Sequence, residues 1–229
     1  MSEPAPTSSA PHGPAANPIR AVRRAAVAAV AVLALLLGVF VGLRSSDPPA
    51  TPRMQAATVL PAPRPLTGLA LTGDDGQPFT EQQLRGQWTF VFIGYTHCPD
   101  VCPATMLVFQ AIARTLAETP AVGGPPRFLM VSVDPRRDTP EQLRQYVRHF
   151  HPDFRAATGD DAALATLTRQ LGGVYIRQDE GKTADYLVDH SAAIWLINPR
   201  GEYHALFSAP QDPLKLAHDF RSLAGTFPP

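Results

Sequence analysis

The sequence predicts a mixed α/β domain, with one central sheet flanked by helices and one N-terminal transmembrane helix before it. The sheet is indicated by two apolar runs, residues 88–95 and 128–133, whose aromatic and β-branched composition is typical of strands buried on both faces. Segments with helical spacing of apolar residues follow these runs, as in folds that cover a sheet with helices. The transmembrane helix is indicated by residues 25–43, nineteen residues without a charge, which are long enough to cross ~30 Å of hydrocarbon.

The order of the remaining elements fits a thioredoxin-like fold. A hairpin is predicted over residues 66–79, and Pro103, placed at a first helical position, predicts a helix after the first buried strand. Residues 139–142 have the form of a capping box, which starts another helix that ends near residue 150. The further predicted elements are a helix over residues 161–171, strands over 174–177, 184–189, 193–198 and 202–207, and a final helix over 213–223.

Composition divides the chain into four segments. Residues 1–24 begin with a stretch rich in Pro, Ala and Ser, and we expect them to form a disordered tail. Residues 25–43 are the predicted membrane span, and residues 44–65 are a Pro-rich linker. Residues 66–229 are the predicted thioredoxin-like domain.

The charges around the apolar run predict its orientation. Arg20, Arg23 and Arg24 precede the run and only Arg44 follows closely, so the positive-inside rule places the N-terminus in the cytoplasm. The domain is then periplasmic, on a single-pass protein of a bacterial-type inner membrane. A cleaved signal peptide is the alternative, but the run exceeds the usual ~7–15 apolar residues and no small-x-small cleavage site directly follows it.

The charge balance argues against a nucleic-acid partner. The chain has 20 Lys and Arg against 20 Asp and Glu, which gives a formal net charge of zero. The basic residues are nearly all arginines and are scattered, so they form no basic patch.

The two cysteines, Cys98 and Cys102, lie four positions apart where a buried strand ends and a helix begins. Ligands favour this kind of junction, and the N–H groups of the helix start are expected to make Cys102 ionise more readily. Three intervening residues place both thiols on one helical turn, whereas thioredoxin-like oxidoreductases use two. Two thiolates facing the same way can chelate a soft ion, although a buried apolar pair or a local disulfide would also fit the spacing.

A copper site built on two thiolates needs a third ligand of histidine type. His190 lies at a corner between two predicted strands, where a loop can fold against the cysteines. His97 is expected to point away from Cys98 by strand alternation. The other candidates fit a solvated surface: His149, His151, His204 and His218. From the residues alone, a structural role for His190 stays open.

Three runs of the sequence resemble the Sco (SenC) family of copper chaperones: GYTHCPDVCP at 94–103, VSVDPRRDTP at 131–140 and YLVDHS at 186–191. The resemblance extends from about residue 66 to residue 223. It implies a tethered thioredoxin-like domain that binds one copper ion, as Cu(I) or Cu(II), through Cys98, Cys102 and His190. It also implies a role in maturing the dinuclear copper centre of cytochrome c oxidase, whose copper-binding subunit, or another copper acceptor, would be the partner.

Two functions remain open from the sequence. A metallochaperone, which is not an enzyme, would pass copper to a membrane-bound acceptor by ligand exchange. A thiol-disulfide oxidoreductase would instead use Cys98 and Cys102 as a redox pair and would not need His190. A peroxidase-like activity is a weaker third possibility, because no peroxidase motif is evident.

Three aspartates in the matched runs have adequate roles other than metal binding. Asp134 is expected to cap a strand end, Asp138 to act as an acid at a helix entry, and Asp189 to orient His190.

Overall fold

The computed structural model of the 229-residue chain describes residues 18–44, 53–178 and 185–227. It divides into two compact units, Met1–Thr51 and Pro52–Pro229. The first unit contains α1 (Pro18–Arg44), whose side chains are exposed over residues 26–40. When only the described residues are considered, no helix is long and apolar enough to cross a membrane. Most of the predicted tail, residues 1–17, lies outside the described residues.

The described part of the second unit is an α/β domain. Its helices are α2 (Val101–Glu118), α3 (Pro140–Phe150), α4 (Asp161–Leu171) and α5 (Pro213–Thr226), with a 3₁₀ turn at Glu81–Leu84. Its strands are β1 (Ala57–Pro65), β2 (Leu71–Gly73), β3 (Pro78–Phe79), β4 (Thr89–Gly94), β5 (Arg127–Ser132), β6 (Arg155–Thr158), β7 (Tyr175–Arg177), β8 (Val188–His190), β9 (Ile194–Ile197) and β10 (Glu202–Phe207).

Eight of these strands form one mixed sheet in the order β1-β10-β9-β4-β5-β6-β2-β3. β4, β5 and β6 are parallel, and the other pairs in the sheet are antiparallel. The central β4 is buried at every position, as predicted for a strand covered on both faces. β7 and β8 pair separately as an antiparallel hairpin. The structure thus confirms the predicted mixed sheet flanked by helices.

The capping box predicted at residues 139–142 is confirmed. Thr139 accepts a hydrogen bond from the backbone N–H of Gln142, whose side chain bonds back to the Thr139 N–H, so the predicted capping box begins α3. α2 differs from the prediction, since it begins at Val101 and places Pro103 in its first turn. The first turn of a helix tolerates proline there because its N–H groups have no partner within the helix.

The predicted linker over residues 44–65 was too long. Residues 57–65 form β1, which pairs with β10 at the edge of the sheet. Its prolines fit that place because an edge strand needs ladder hydrogen bonds on only one side. Residues 45–52 lie outside the described residues, as does residue 184 of the strand predicted over 184–189. The rest of that prediction was partly wrong, because residues 185–187 form no strand and β8 begins only at Val188.

The strand ends that position the site lie together at one end of the sheet. Gly94 at the end of β4 pairs in register with Ser132 at the end of β5. β9 is antiparallel to β4, and Ile194 at its start faces Phe92. The loops that follow β4 and β5 and the loop that precedes β9 therefore meet at the same end of the sheet.

A buried carboxylate fixes the start of the second unit. Asp219 on α5 is fully buried and accepts hydrogen bonds from the N–H groups of Gln55 at 2.9 Å, Ala56 at 2.7 Å and Ala57 at 2.8 Å. Burial raises the pKa of Asp219, but these N–H groups and His218 together hold it below its usual range. The charged form is thus favoured in the folded state.

The change Asp219→Asn is expected to lower the free energy of unfolding at pH 7 by about 1–3 kcal/mol, because a neutral amide replaces a charged acceptor of several N–H groups. A depressed folded-state pKa stabilises the fold above the unfolded-state pKa, about 3.9, and this contribution is lost as the pH falls through the folded-state pKa. Urea unfolding at pH 7 and at successively lower pH should therefore show the deficit shrinking below pH of about 4. Asp153→Asn, at an exposed position, is the control. A deficit that is equal at every pH would contradict this role for the Asp219 charge.

Candidate metal centre

The cysteines lie on the connection from β4 to α2, at the end of the sheet where β4 and β5 terminate. Cys98 is half-buried and Cys102, in the first turn of α2, is fully buried; both are free thiols. The Cys102 N–H points at the Cys98 sulfur, with 3.4 Å between N and Sγ. The start of the helix therefore directs a backbone donor to the more exposed of the two sulfurs.

His190, at the end of β8, meets the buried cysteine. Its Nε2 lies 3.3 Å from the Cys102 Sγ, and its Nδ1 lies 3.2 Å from the Ser191 carbonyl oxygen. A carbonyl only accepts, so Nδ1 carries the proton and donates it to Ser191. Nε2 then presents its lone pair to the sulfur, which is the tautomer that a metal-ligating imidazole needs.

Aromatic rings surround the imidazole of His190. The rings of Phe92 and Tyr95 contact it edge to face, with centroids 5.7 and 6.0 Å away. Burial lowers the pKa of His190, against the opposing effects of the Ser191 carbonyl and the Asp189 charge. The neutral imidazole is therefore favoured, and neutral imidazole is the form that binds metals.

The expectation that Cys102 ionises readily was wrong. Burial raises the pKa of the Cys102 thiol strongly, and the charges of Cys98 and Asp138 act in the same direction, while a hydrogen bond from the Tyr95 backbone opposes them. The helix start is too weak to compensate, since its effect is of order 1 kcal/mol and desolvation of a thiolate costs more. The raised pKa favours the protonated thiol of Cys102 in the free site, where its sulfur lies beside the His190 Nε2.

Gly94 leaves the space into which the Cys102 sulfur fits. A Cβ at this position would lie 2.9 Å from the Cys102 Sγ and 2.7 Å from a ring carbon of Phe92. Such contacts are shorter than real Cβ atoms make, so any side chain here would displace the sulfur or the ring. The glycine that begins the first matched run is thus explained by packing against the thiol.

A second set of contacts holds the β8 hairpin to the cysteine loop. The Tyr95 hydroxyl accepts a hydrogen bond from the Val188 N–H at 3.2 Å. The Tyr186 hydroxyl donates to the buried Asp134 at 2.6 Å, and Arg137 pairs with the other oxygen of Asp134 at 2.5 Å. The Arg137 guanidinium also lies over the Tyr186 ring, 3.6 Å from its centroid. These contacts fix the position from which His190 reaches Cys102.

Asp138 holds the other side of the loop. Its fully buried carboxylate accepts hydrogen bonds from the Thr96 N–H at 2.9 Å, the Thr96 hydroxyl at 2.5 Å and the Ser132 hydroxyl at 2.5 Å. The predicted role of Asp138 as a helix-entry acid is therefore replaced by a role in fixing the residues just before Cys98. Asp134 likewise binds side chains of the site rather than capping a strand end.

The remaining sequence candidates lie outside this cluster. His97 is half-exposed and contacts Thr96 and Asp138, as expected for a side chain directed away from Cys98. Asp189 accepts a hydrogen bond from Gln178, so the Ser191 carbonyl, which the sequence did not reveal, orients His190 instead. His204 was expected at the surface but is partly buried against Trp88 and Phe227.

The donor set fits a soft metal ion. The two sulfurs and one imidazole nitrogen of Cys98, Cys102 and His190 all lie within 4.8 Å of one another. Ligand atoms bound at about 2.3 Å to one ion can lie up to about 4.6 Å apart, so only a small closure is needed. Two thiolates and one imidazole suit Cu(I), and the imidazole also accommodates Cu(II).

The family model for SCO1/SenC matches residues 67–225 of this sequence. The chain belongs to the SCO1/SenC family. The match covers all three runs of residues that form the site, and it confirms the resemblance drawn from them.

Relatives of this SCO1/SenC protein include a plant mitochondrial protein and a bacterial protein. Protein SCO1 homolog 1, mitochondrial, of Arabidopsis thaliana is 36% identical over 62% of this chain and 42% of its own length. A putative copper-binding protein of Stutzerimonas stutzeri is 33% identical over 66% of this chain and 73% of its own. The chain spans about half the length of the mitochondrial relatives that it matches.

The fold is also that of solved SCO1/SenC structures. The crystal structure of Arabidopsis thaliana ScoI with copper bound is similar with a TM-score of 0.64 and 31% identity, over 72% of this chain and 98% of that chain. The SCO1/SenC family and the mixed α/β architecture thus rest on independent comparisons of sequence and structure.

The change Gly94→Ala is expected to cost about 1–3 kcal/mol of folding stability, because the added methyl overpacks against the Cys102 sulfur. It should also make Cys102 easier to alkylate in the folded protein, since the displaced sulfur loses its enclosed position. Urea unfolding and mass spectrometry after iodoacetamide treatment measure the two effects.

The matched control for Gly94→Ala is Gly225→Ala, in α5, where an added Cβ has no neighbour within 4 Å. There the substitution should be neutral or stabilising, because alanine favours a helix more than glycine does. Equal stability of Gly94→Ala and wild type would contradict the packing role of Gly94.

Proposed function

We propose that this protein is a membrane-tethered copper metallochaperone, which binds one copper ion through Cys98, Cys102 and His190. The contact of the Cys102 sulfur with the His190 Nε2 at 3.3 Å, within reach of Cys98, is the observation that supports the proposal most directly. The copper-bound Arabidopsis homologue supports the choice of metal. The ion is cargo, which the domain holds and then passes on.

The protonation states of the free site determine how copper enters. Both thiols lose their protons when they become ligands, and the raised pKa of Cys102 means that copper, rather than the protein, must drive its ionisation. His190 needs no such step, because its Nε2 already presents a lone pair to Cys102. Binding is thus expected to release protons and to weaken as the pH falls.

Unequal burial of the cysteines gives the transfer a direction. Cys98 is half-buried, whereas Cys102 is fully buried. An incoming ligand from an acceptor can reach the ion from the Cys98 side, so we propose that Cys98 is exchanged first and Cys102 last. The proposed acceptor is the copper-binding subunit of cytochrome c oxidase, whose dinuclear centre the family resemblance implies, or another membrane-bound copper acceptor.

The reduced protein is expected to bind one copper ion with a thiolate-to-Cu(II) absorption band, and Cys98→Ser, Cys102→Ser and His190→Ala should each weaken binding at least about tenfold. His97→Ala is the matched control, because His97 borders Cys98 without joining the cluster. Absorption and EPR titrations with a competing chelator measure the affinities. Tight stoichiometric binding in all three ligand variants would rule out this site.

A thiol-disulfide oxidoreductase is the second candidate, and the unequal exposure of the two thiols favours it. Cys98 would attack a partner's disulfide and Cys102 would resolve the mixed disulfide, so that the domain ends oxidised and the partner reduced. The same variants separate the two functions. If His190→Ala loses copper binding but reduces the partner's disulfide at the wild-type rate, the dithiol works without copper.

We also propose that residues 25–43 anchor the protein in a bacterial-type inner membrane, with the N-terminus cytoplasmic and the second unit periplasmic. The uncharged run and the arginines that precede it support this proposal. The full-length chain should stay in the membrane pellet after alkaline carbonate extraction, and a C-terminal alkaline phosphatase fusion should be active. Release of the uncleaved chain by carbonate would contradict the anchor.

A further inference from the structure

A cavity of about 450 Å³ lies far from the metal centre and has a different chemistry. It is lined by three arginines, Arg85, Arg127 and Arg155, with three glutamines and one acidic side chain, Asp75, among the other lining residues. Its volume is within the range of small-molecule sites, about 300–1,000 Å³. Its lining is that of a site for an anion rather than for a metal ion.

The position of this cavity follows from the sheet. Arg127 begins β5, opposite Thr89 at the beginning of β4, and Arg155 begins β6. The metal centre follows the other end of β4. Strands of six residues at ~3.3 Å per residue separate the two ends by roughly 17 Å, so the cavity and the metal centre are distinct sites.

Arg155 and Arg85 are balanced by nearby acids. Arg155 pairs with the buried Asp74 at 2.7 Å and with Asp75 at 2.9 Å. The charge of Arg85 helps to lower the pKa of Glu81, four residues earlier. Both arginines also line the cavity, so each can add its positive charge to an anion site there.

Arg127 is different, because its partners are neutral. It donates to the Gln83 carbonyl oxygen and, at 3.2 Å, to the side-chain oxygen of Gln87. Across the described residues, no carboxylate lies within ion-pair distance of Arg127. Burial lowers the pKa of Arg127, and the charge of Arg155 lowers it further. A partly buried cation beside a second cation is stabilised by an anion placed between them.

We propose that this cavity binds a phosphate-bearing anion, with Arg127 as the principal contact and Arg85 and Arg155 at its sides. A phosphate has enough oxygens to accept from several guanidinium groups at once, which a single carboxylate cannot do as fully. The glutamine side chains supply further amide donors at the wall. The source is either a free phosphate or the headgroup of an anionic phospholipid.

Calorimetry of the full-length protein in a neutral detergent tests the proposal, with inorganic phosphate, pyrophosphate and acetate as separate probes at constant ionic strength. Phosphate or pyrophosphate should bind at one site, and Arg127→Gln should weaken binding about tenfold or more, as expected for the loss of a charge-assisted contact. Acetate should bind more weakly. Copper binding should be unchanged in this variant, since Arg127 lies at the other end of the sheet.

A control variant, a second test variant and a soluble lipid complete the experiment. Arg114→Gln, at an exposed position of α2, should bind phosphate as wild type does. Arg85→Gln should weaken binding as well, and it serves if Arg127→Gln fails to fold. Dihexanoyl phosphatidylglycerol below its critical micelle concentration tests the headgroup source, and Arg127-dependent binding of this lipid would support the site with a lipid as ligand.

The proposal fails if neither the phosphates nor the soluble lipid bind. It also fails if they bind Arg127→Gln and Arg85→Gln as tightly as wild type, or if acetate competes equally.

Discussion

The contact between the Cys102 sulfur and the His190 Nε2 is the constraint on which the rest of the site depends. These atoms belong to residues 88 positions apart and lie 3.3 Å from each other in a buried place. The contact requires that Gly94 has no side chain, because a Cβ there would take the space of the sulfur. It also requires that the Ser191 carbonyl holds the proton of the imidazole on Nδ1. The contact between Cys102 and His190 thus explains both Gly94 and the hydrogen bond to the Ser191 carbonyl.

Two buried carboxylates stabilise the loops without joining the cluster of Cys98, Cys102 and His190. Asp138 is fully occupied by Thr96 and Ser132, and Asp134 by Tyr186 and Arg137. A carboxylate whose lone pairs are already used by good donors has little reason to turn towards a soft cation, which prefers sulfur and nitrogen. Their charges still reach the site, since Asp138 is among the groups that raise the pKa of Cys102. Asp134 and Asp138 therefore position the loops, while the proposed ligand atoms remain two sulfurs and one imidazole nitrogen.

The sequence predicted the parts of the site that depend on local pattern. The β4 strand, the cysteine turn and the capping box of α3 follow from composition and spacing, and they are where we expected them. What it could not predict depends on distant packing. The sign of the Cys102 pKa shift was wrong because the helix start was visible in the sequence and the burial was not. β1 was mistaken for linker, since its prolines are tolerable only at an edge whose existence depends on β10.

The same packing also fixes where the chain enters the domain. Ala57 at the start of β1 faces Phe207, which faces Ile194, which in turn faces Phe92 near the end of β4. The beginning of β1 therefore lies at the same end of the sheet as the candidate metal centre. Asp219 clamps Gln55, Ala56 and Ala57 there through their N–H groups, so the entry point cannot slide along the sheet without breaking three charge-assisted hydrogen bonds. The clamp therefore holds the beginning of β1 in place relative to β10, β9 and β4, and so relative to the cysteine loop that follows β4.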